Sequence, residues 1–353
     1  MQRRTFALAC LGLAMMMVSS MALAQYKLKN LDSNQVKQAG HDDPLIVNAW
    51  GMVHAPGSPW WVSDAGSGWS TLYDGQGNIQ SLKVLIPTAG NGPGSPSGLN
   101  GPGTPTGTVF NGSSDFQLGG WSTFFLFATL DGTISGWAPQ TNLNQAILAV
   151  DNSSKGSVYT GLAITSKTSG NFLYAADEAN GKVDVYDGSF NFVKSFTDSS
   201  LPAGFAPFGI QDIGGLVYVT FADVSGGSGG FVDVFKEDGT PARSTPLIQG
   251  LPLNQPWGVA VAPNNFGPLS NTLLISNNTD QGTINGFNAV NGKFVGRVRN
   301  DEGKPIVIDQ LWGIGFGDGS GPSGNGALNQ LFFTAGPSNN VAGTFGVIVL
   351  DKD

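Results

Sequence analysis

Pro256-Trp257-Gly258-Val259-Ala260-Val261 opens the clearest of six copies of one unit. A large or Thr residue is followed by Gly and a short apolar strand. The pair recurs as Trp50-Gly51, Thr106-Gly107, Thr160-Gly161, Phe208-Gly209, Trp257-Gly258 and Trp312-Gly313, at intervals of 48 to 56 residues. Pro105, Pro207 and Pro256 stand just before or at the strand start, where the missing N–H of Pro need not pair. About ten residues further on, each copy carries a second β-rich run, as at residues 172–175 and 273–276. A Gly/Asp/Asn loop follows. A third run then alternates in period two, as at residues 182–186 and 283–287, the pattern of a strand buried on one face. Several of these runs end in Asp-Gly or Asn-Gly, as at Asp74-Gly75, Asp238-Gly239 and Asn291-Gly292. Those dipeptides suit hairpin turns because they tolerate positive φ. A fourth run completes copies one to five.

Four antiparallel strands repeated at about 50 residues describe a propeller blade. The spacing therefore predicts an all-β, six-bladed β-propeller of four-stranded antiparallel blades. Copy six stops after its third strand, at Leu350, while residues 26–31 precede copy one without a hairpin partner. That N-terminal strand is predicted to join the last blade as its outer strand, tying the ends and removing an open edge. A sandwich with extra strands is the competing arrangement, and six regular copies speak against it.

Composition agrees. Gly accounts for 52 of 353 residues, roughly double the usual 7%, which disfavours long helices and suits many tight turns. Charged residues make up 12% and hydrophobic ones 40%, enough to build a core. Residues 1–24 read as a signal peptide: Arg3 and Arg4, an apolar run over residues 6–18, and Ala22-Leu23-Ala24 as the cleavage site. The run is shorter than the roughly 20 residues of a typical membrane span. The expected organisation is thus 1–24 as signal and 25–353 as one propeller, secreted or periplasmic, by general secretion or by the twin-arginine route. Net charge is −8 and becomes −10 when residues 1–24, with two Arg and no acid, are removed. Such a surface repels phosphate backbones, so nucleic acid is not an expected partner. Cys10 leaves with the signal, which excludes a Cys nucleophile, Cys-bound zinc and disulfides from the mature chain.

The chain resembles the broad NHL-like and TolB-like group of six-bladed propellers. Blade three carries the resemblance as Leu173-Tyr174-Ala175-Ala176-Asp177, then Gly181-Lys182-Val183-Asp184-Val185-Tyr186-Asp187. More closely, it looks like a family of exported bacterial proteins of no established activity. The stretches that carry this are Asn48-Ala49-Trp50-Gly51, residues 127–137 and 201–208, Pro256-Trp257-Gly258, Leu311-Trp312-Gly313 and Phe332-Phe333-Thr334-Ala335-Gly336. The resemblance implies a propeller and export. In broad fold alone the chain is also similar to calcium-dependent propeller lactonases, which hold one metal on the channel axis with acid and amide ligands. It departs from them in having no Glu at the start of its first blade.

In propellers the loops after the second strand and before the first face one end of the channel. Here those loops carry Asp64, Asp131, Asp177, Asp223 and Asn277, with His41, Asp42, Asp43 and Asn48 on the way into blade one. A ring of carboxylates and amides could take a hard cation such as Ca²⁺. Equally, Asp caps turns by accepting from its own backbone. The leading expectation is a binding module with an acidic mouth for a small molecule, a glycan or a protein. The alternative is a Ca-dependent hydrolase of lactonase type, in which a metal held by a subset of Asp64, Asp131, Asp177 and Asp223 polarises a carbonyl and activates water. Gly226-Gly227-Ser228-Gly229-Gly230 matches a nucleophile elbow, but a strand follows where the chemistry needs a helix, so it reads as a loop. Residues 319–324 fit G-x-G-x-x-G, again without a helix to hold phosphate. The regular placement of Trp50, Phe208, Trp257 and Trp312 predicts packing between neighbouring blades.

Overall fold

The computed structural model describes residues 25–90, 102–165 and 170–351. The signal segment and most of the Gly/Pro-rich stretch at residues 90–105 lie outside the described residues. Among those described, the chain is all-β, and six of its sheets make a six-bladed propeller, with Gln117–Leu118 and Trp121–Ser122 forming a separate two-stranded sheet. The inner strands are Ala49–His54, Pro105–Phe110, Tyr159–Thr165, Phe205–Ile213, Pro256–Val261 and Leu311–Phe316. Each neighbours the next, and the sixth neighbours the first. No helix among the described residues is long and apolar enough to cross a membrane.

The ends close as the repeat count requires. Tyr26–Ser33 pairs antiparallel with Thr344–Leu350, from Tyr26 opposite Leu350 to Ser33 opposite Thr344, with a bulge between Asn30 and Asp32. The strand is two residues longer than the sequence suggests. His41–Asp42 then adds a short parallel fifth strand to the last blade. Tyr26 also ties the closing strand to blade five, because its hydroxyl donates to the Phe266 carbonyl at 2.7 Å.

The recurrent Gly is explained by what faces it. In all six blades the register slips at the pair, giving a β-bulge in the inner strand. The bulge presses the Gly against the next blade's backbone. A Cβ on Gly51 would lie 2.2 Å from the Thr106 carbonyl oxygen, on Gly209 2.0 Å from that of Trp257, and on Gly313 3.0 Å from that of Trp50. The sequence pattern is therefore a record of blade-to-blade approach.

Second-strand hydroxyls reinforce this contact. Gly258 N–H donates to Ser276 Oγ at 2.7 Å, and Ser276 Oγ donates at 2.6 Å to the Trp312 carbonyl of the following blade. Gly313 N–H, Thr334 Oγ1 and the Trp50 carbonyl repeat the relay from blade six to blade one. Both hydroxyl residues are fully buried. Ser276→Ala should thus cost about 2 kcal/mol, because it leaves a buried donor and a buried acceptor unpaired. Urea denaturation of the variant checks this.

Candidate functional site

The predicted mouth residues fall into two sets. Asp64, Asp177 and Asn277 share one register, opposite Ala49, Tyr159 and Pro256, the residues just before the bulges. In blades two and four that register is held by Thr129 opposite Pro105 and by Phe221 opposite Pro207. Asp131 and Asp223 lie two residues further on. The repeat therefore does not generate one ring of equivalent acids.

Asp64 is bonded to the strand that follows it, and the others are bonded to loops. Asp64 Oδ2 accepts from Thr71 N–H at 3.2 Å and Thr71 Oγ1 at 2.7 Å. Asp131 Oδ2 accepts from Thr104 N–H at 2.8 Å. Asp177 accepts from Val158 N–H at 3.1 Å and Asn180 Nδ2 at 2.9 Å. Asp223 Oδ1 accepts from Ser225 N–H and Oγ, which hold its pKa below the ordinary value. Asn277 Oδ1 accepts from Asn254 N–H and its Nδ2 donates to the Pro252 carbonyl. Burial pushes the Asp64 pKa well up, against the bonds from Thr71. His41 is half-exposed and 3.8 Å from Asp32. Among the described residues, no three Asp, Glu, His or Cys side chains are arranged to hold one metal ion.

The four aromatic residues pack between neighbouring blades as expected, Trp50 and Trp257 each against Trp312, and they also reach beyond the neighbouring blade. They converge on the axis, at the end where the inner strands begin. Trp50 and Trp312 stack with centroids 3.6 Å apart and planes 19° apart. Trp257 meets both edge-on, at 6.5 and 6.0 Å, and Phe208 lies 5.7 Å from Trp312. These contacts join blades one, four, five and six across the channel. Trp257 Nε1 donates to the Thr160 carbonyl of blade three, and Trp312 Nε1 donates to Asn48 Oδ1 at 3.0 Å. Asn48, a predicted ligand residue, thus holds the plug, from a backbone with φ of 50°. Rings that touch across an axis fill it.

Beyond the plug the channel widens towards its other end. A throat of about 40 Å³ comes first, walled in part by the residue that follows each Gly: Met52, Thr108, Leu162, Ile210, Val259 and Ile314. It opens into a funnel of about 390 Å³ whose rim is formed by the third residue after each Gly: His54, Phe110, Ile164, Asp212, Val261 and Phe316. None of these six rim residues is among the site residues expected from the sequence. The signal was present in the repeat, since one position per copy supplies each ring. His54 is fixed by its neighbours: both ring nitrogens lie 3.2 Å from carbonyls, of Ala55 and Phe316, and the ring meets Trp60 edge-on. Ser228 of the Gly-rich match lies in the loop before the strand Phe231–Lys236, with no helix behind it.

No family model matches the chain. Among solved structures, a gluconolactonase of Xanthomonas campestris superposes with a TM-score of 0.56 at 14% identity, covering 87% of this chain and 88% of its own. Virginiamycin B lyase of Staphylococcus aureus superposes with a TM-score of 0.53 at 13% identity, covering 93% and 100%. At such identity they share the propeller fold with this chain. An uncharacterized protein of Acanthamoeba polyphaga mimivirus is 30% identical over 350 residues, or 94% of this chain and 82% of its own. A second from the same virus is 29% identical, covering 94% and 87%. These relatives are viral, whereas the sequence resemblance pointed to exported bacterial proteins. Near-complete coverage at this identity means that the chain belongs to the same family as the first mimivirus protein.

Proposed function

We propose that the protein is a binding module that takes its ligand into the funnel at the end of the channel away from the acidic loops. The observation that carries this reading is the asymmetry of the axis. Trp50, Trp257, Trp312 and Phe208 fill one end, while the other opens into a cavity of a size usual for small-molecule sites. The funnel wall is mixed: Phe110, Ile164, Val261 and Phe316 are apolar, and His54, Gln211 and Asp212 add a few polar groups. That combination suits a compact, largely apolar molecule fixed by one or two hydrogen bonds. Metal-assisted hydrolysis is the weaker reading, because Asp131, Asp177 and Asp223 are engaged in capping loops and Asp64 is bonded to Thr71. The export expected from residues 1–24 belongs to the same proposal, and a purified mature chain beginning at Gln25 would support it.

The test uses the fluorescent apolar probe anilinonaphthalene sulfonate. Val261 is a partly exposed rim residue, so Val261→Trp should narrow the funnel with little effect on melting. The variant is expected to lose at least about tenfold in probe affinity, the factor that 1.4 kcal/mol represents. Asp223→Ala, at the other end, should leave it unchanged. Equal affinity in wild type and Val261→Trp would sink the funnel reading. A rise in melting temperature with Ca²⁺, reversed by EDTA and absent in Asp177→Ala, would favour the metal enzyme instead.

A further inference from the structure

Asp32 lies on the closing strand and is fully buried, yet neither carboxylate oxygen has a hydrogen-bond partner. Its surroundings are acidic. Asp43 and Asp74 lie close enough to repel it, and Asp64 and Tyr73 of blade one share the same electrostatic cluster. The facing groups are already committed. Asp43 accepts from Leu45 N–H and from the Tyr73 hydroxyl at 2.9 Å. Asp74 accepts from Gln76 N–H, Asn78 N–H and Asn78 Nδ2. On the neighbouring strand His41 sits opposite Asp32, with Nδ1 3.8 Å from Oδ1, beyond hydrogen-bond reach. The paired strand Thr344–Leu350 supplies no titratable group. Gly77 closes the pocket, since a Cβ there would stand 2.8 Å from Asp32 Oδ2.

A buried carboxylate that accepts no hydrogen bond, with only the His41 imidazole 3.8 Å away, is far more costly than a buried neutral carboxyl. We propose that Asp32 is a proton-operated clasp for the closing strand: it is neutral while Tyr26–Ser33 is docked, and its ionisation loosens that strand from the ring. Burial first, then the charges of Asp43 and Asp74, push its pKa from 3.8 up to about 8. The folded chain therefore holds a proton over a range in which the unfolded chain does not. Stability falls as pH rises through that range, and the loss is complete once both states are ionised. Below pH 3.8 both states hold the proton and the effect vanishes.

The test is hydrogen exchange on the full chain between about pH 5 and pH 9, corrected for intrinsic rates. Protection of residues 26–33 is expected to fall by up to tenfold per pH unit, the limit for one proton, while Pro105–Phe110 holds steady. Asp32→Asn should flatten the profile and protect the strand better than wild type at pH 8. His41→Gln should keep the slope. A pH-independent wild-type profile overturns the clasp, and it decides the matter even if Asp32→Asn fails to fold. Weaker protection in Asp32→Asn than in wild type at pH 8, or loss of the slope in His41→Gln, overturns it too. So does a melting temperature raised by Ca²⁺ in wild type but not in Asp32→Asn, which would give the pocket to a cation.

Discussion

Gly209→Ala is expected to destabilise the propeller by at least about 3 kcal/mol, a cost at the upper end for overpacking. The new Cβ would stand 2.0 Å from the Trp257 carbonyl oxygen and 2.9 Å from Thr220 Oγ1. The first obstacle is backbone of the next blade and cannot rotate away. Relief requires the two inner strands to separate, and Trp257 is also part of the axial plug. Gly161→Ala is the internal control. It sits at the same repeat position, but its Cβ would meet Ile210 Cγ2 at 3.1 Å and the Phe208 carbonyl at 3.2 Å. A shift of a few tenths of an ångström absorbs that, so about 1 kcal/mol is expected. Neither Gly has positive φ, so the contrast isolates inter-blade distance from backbone strain. Denaturant unfolding of the pair measures it, and equal costs would mean that the blades slide freely.

Trp312→Ala should cost about 3–5 kcal/mol, the range for removing a buried aromatic side chain. Trp312 is 3% exposed and touches Trp50, Trp257 and Phe208 at once. Its loss also removes the indole N–H that Asn48 Oδ1 and Asn340 Oδ1 accept. Trp312→Phe keeps a ring and drops only the N–H, so about 1–2 kcal/mol is expected there. Coupling between Trp312→Ala and Trp50→Ala in a double-mutant cycle should reach about 1 kcal/mol. A coupling near zero would mean that the stack contributes only through area.

The six-fold repeat was legible because its two demands, a tight inter-blade contact and hairpin turns, each select Gly strongly. The same logic gave the closure by Tyr26–Ser33, since a copy lacking one strand needs it from elsewhere. The site was less legible. Asp64 and Asp131 look alike in a sequence, yet one ends a strand and the other lies two residues into a loop, and only register separates them. The placement of Trp50 and Trp312 gives their packing between neighbouring blades but not the reach of this cluster across the axis, because period-two patterning says which face of a strand is buried, not how far a ring extends past its edge. Asp32 gave no signal, because its burial depends on Tyr73 and Gly77 of blade one, more than forty residues away.

One position per repeat, three residues after the Gly, frames the open end of the channel. That position takes His, Phe, Ile, Asp, Val and Phe in turn around the circle. Two of them also make contacts between blades, His54 with the Phe316 carbonyl and Phe316 with Phe266. The other four, Phe110, Ile164, Asp212 and Val261, are the positions at which the character of this entrance could change while the inter-blade glycines stay as they are. If the funnel takes a ligand as proposed, those positions are where its selectivity would be written.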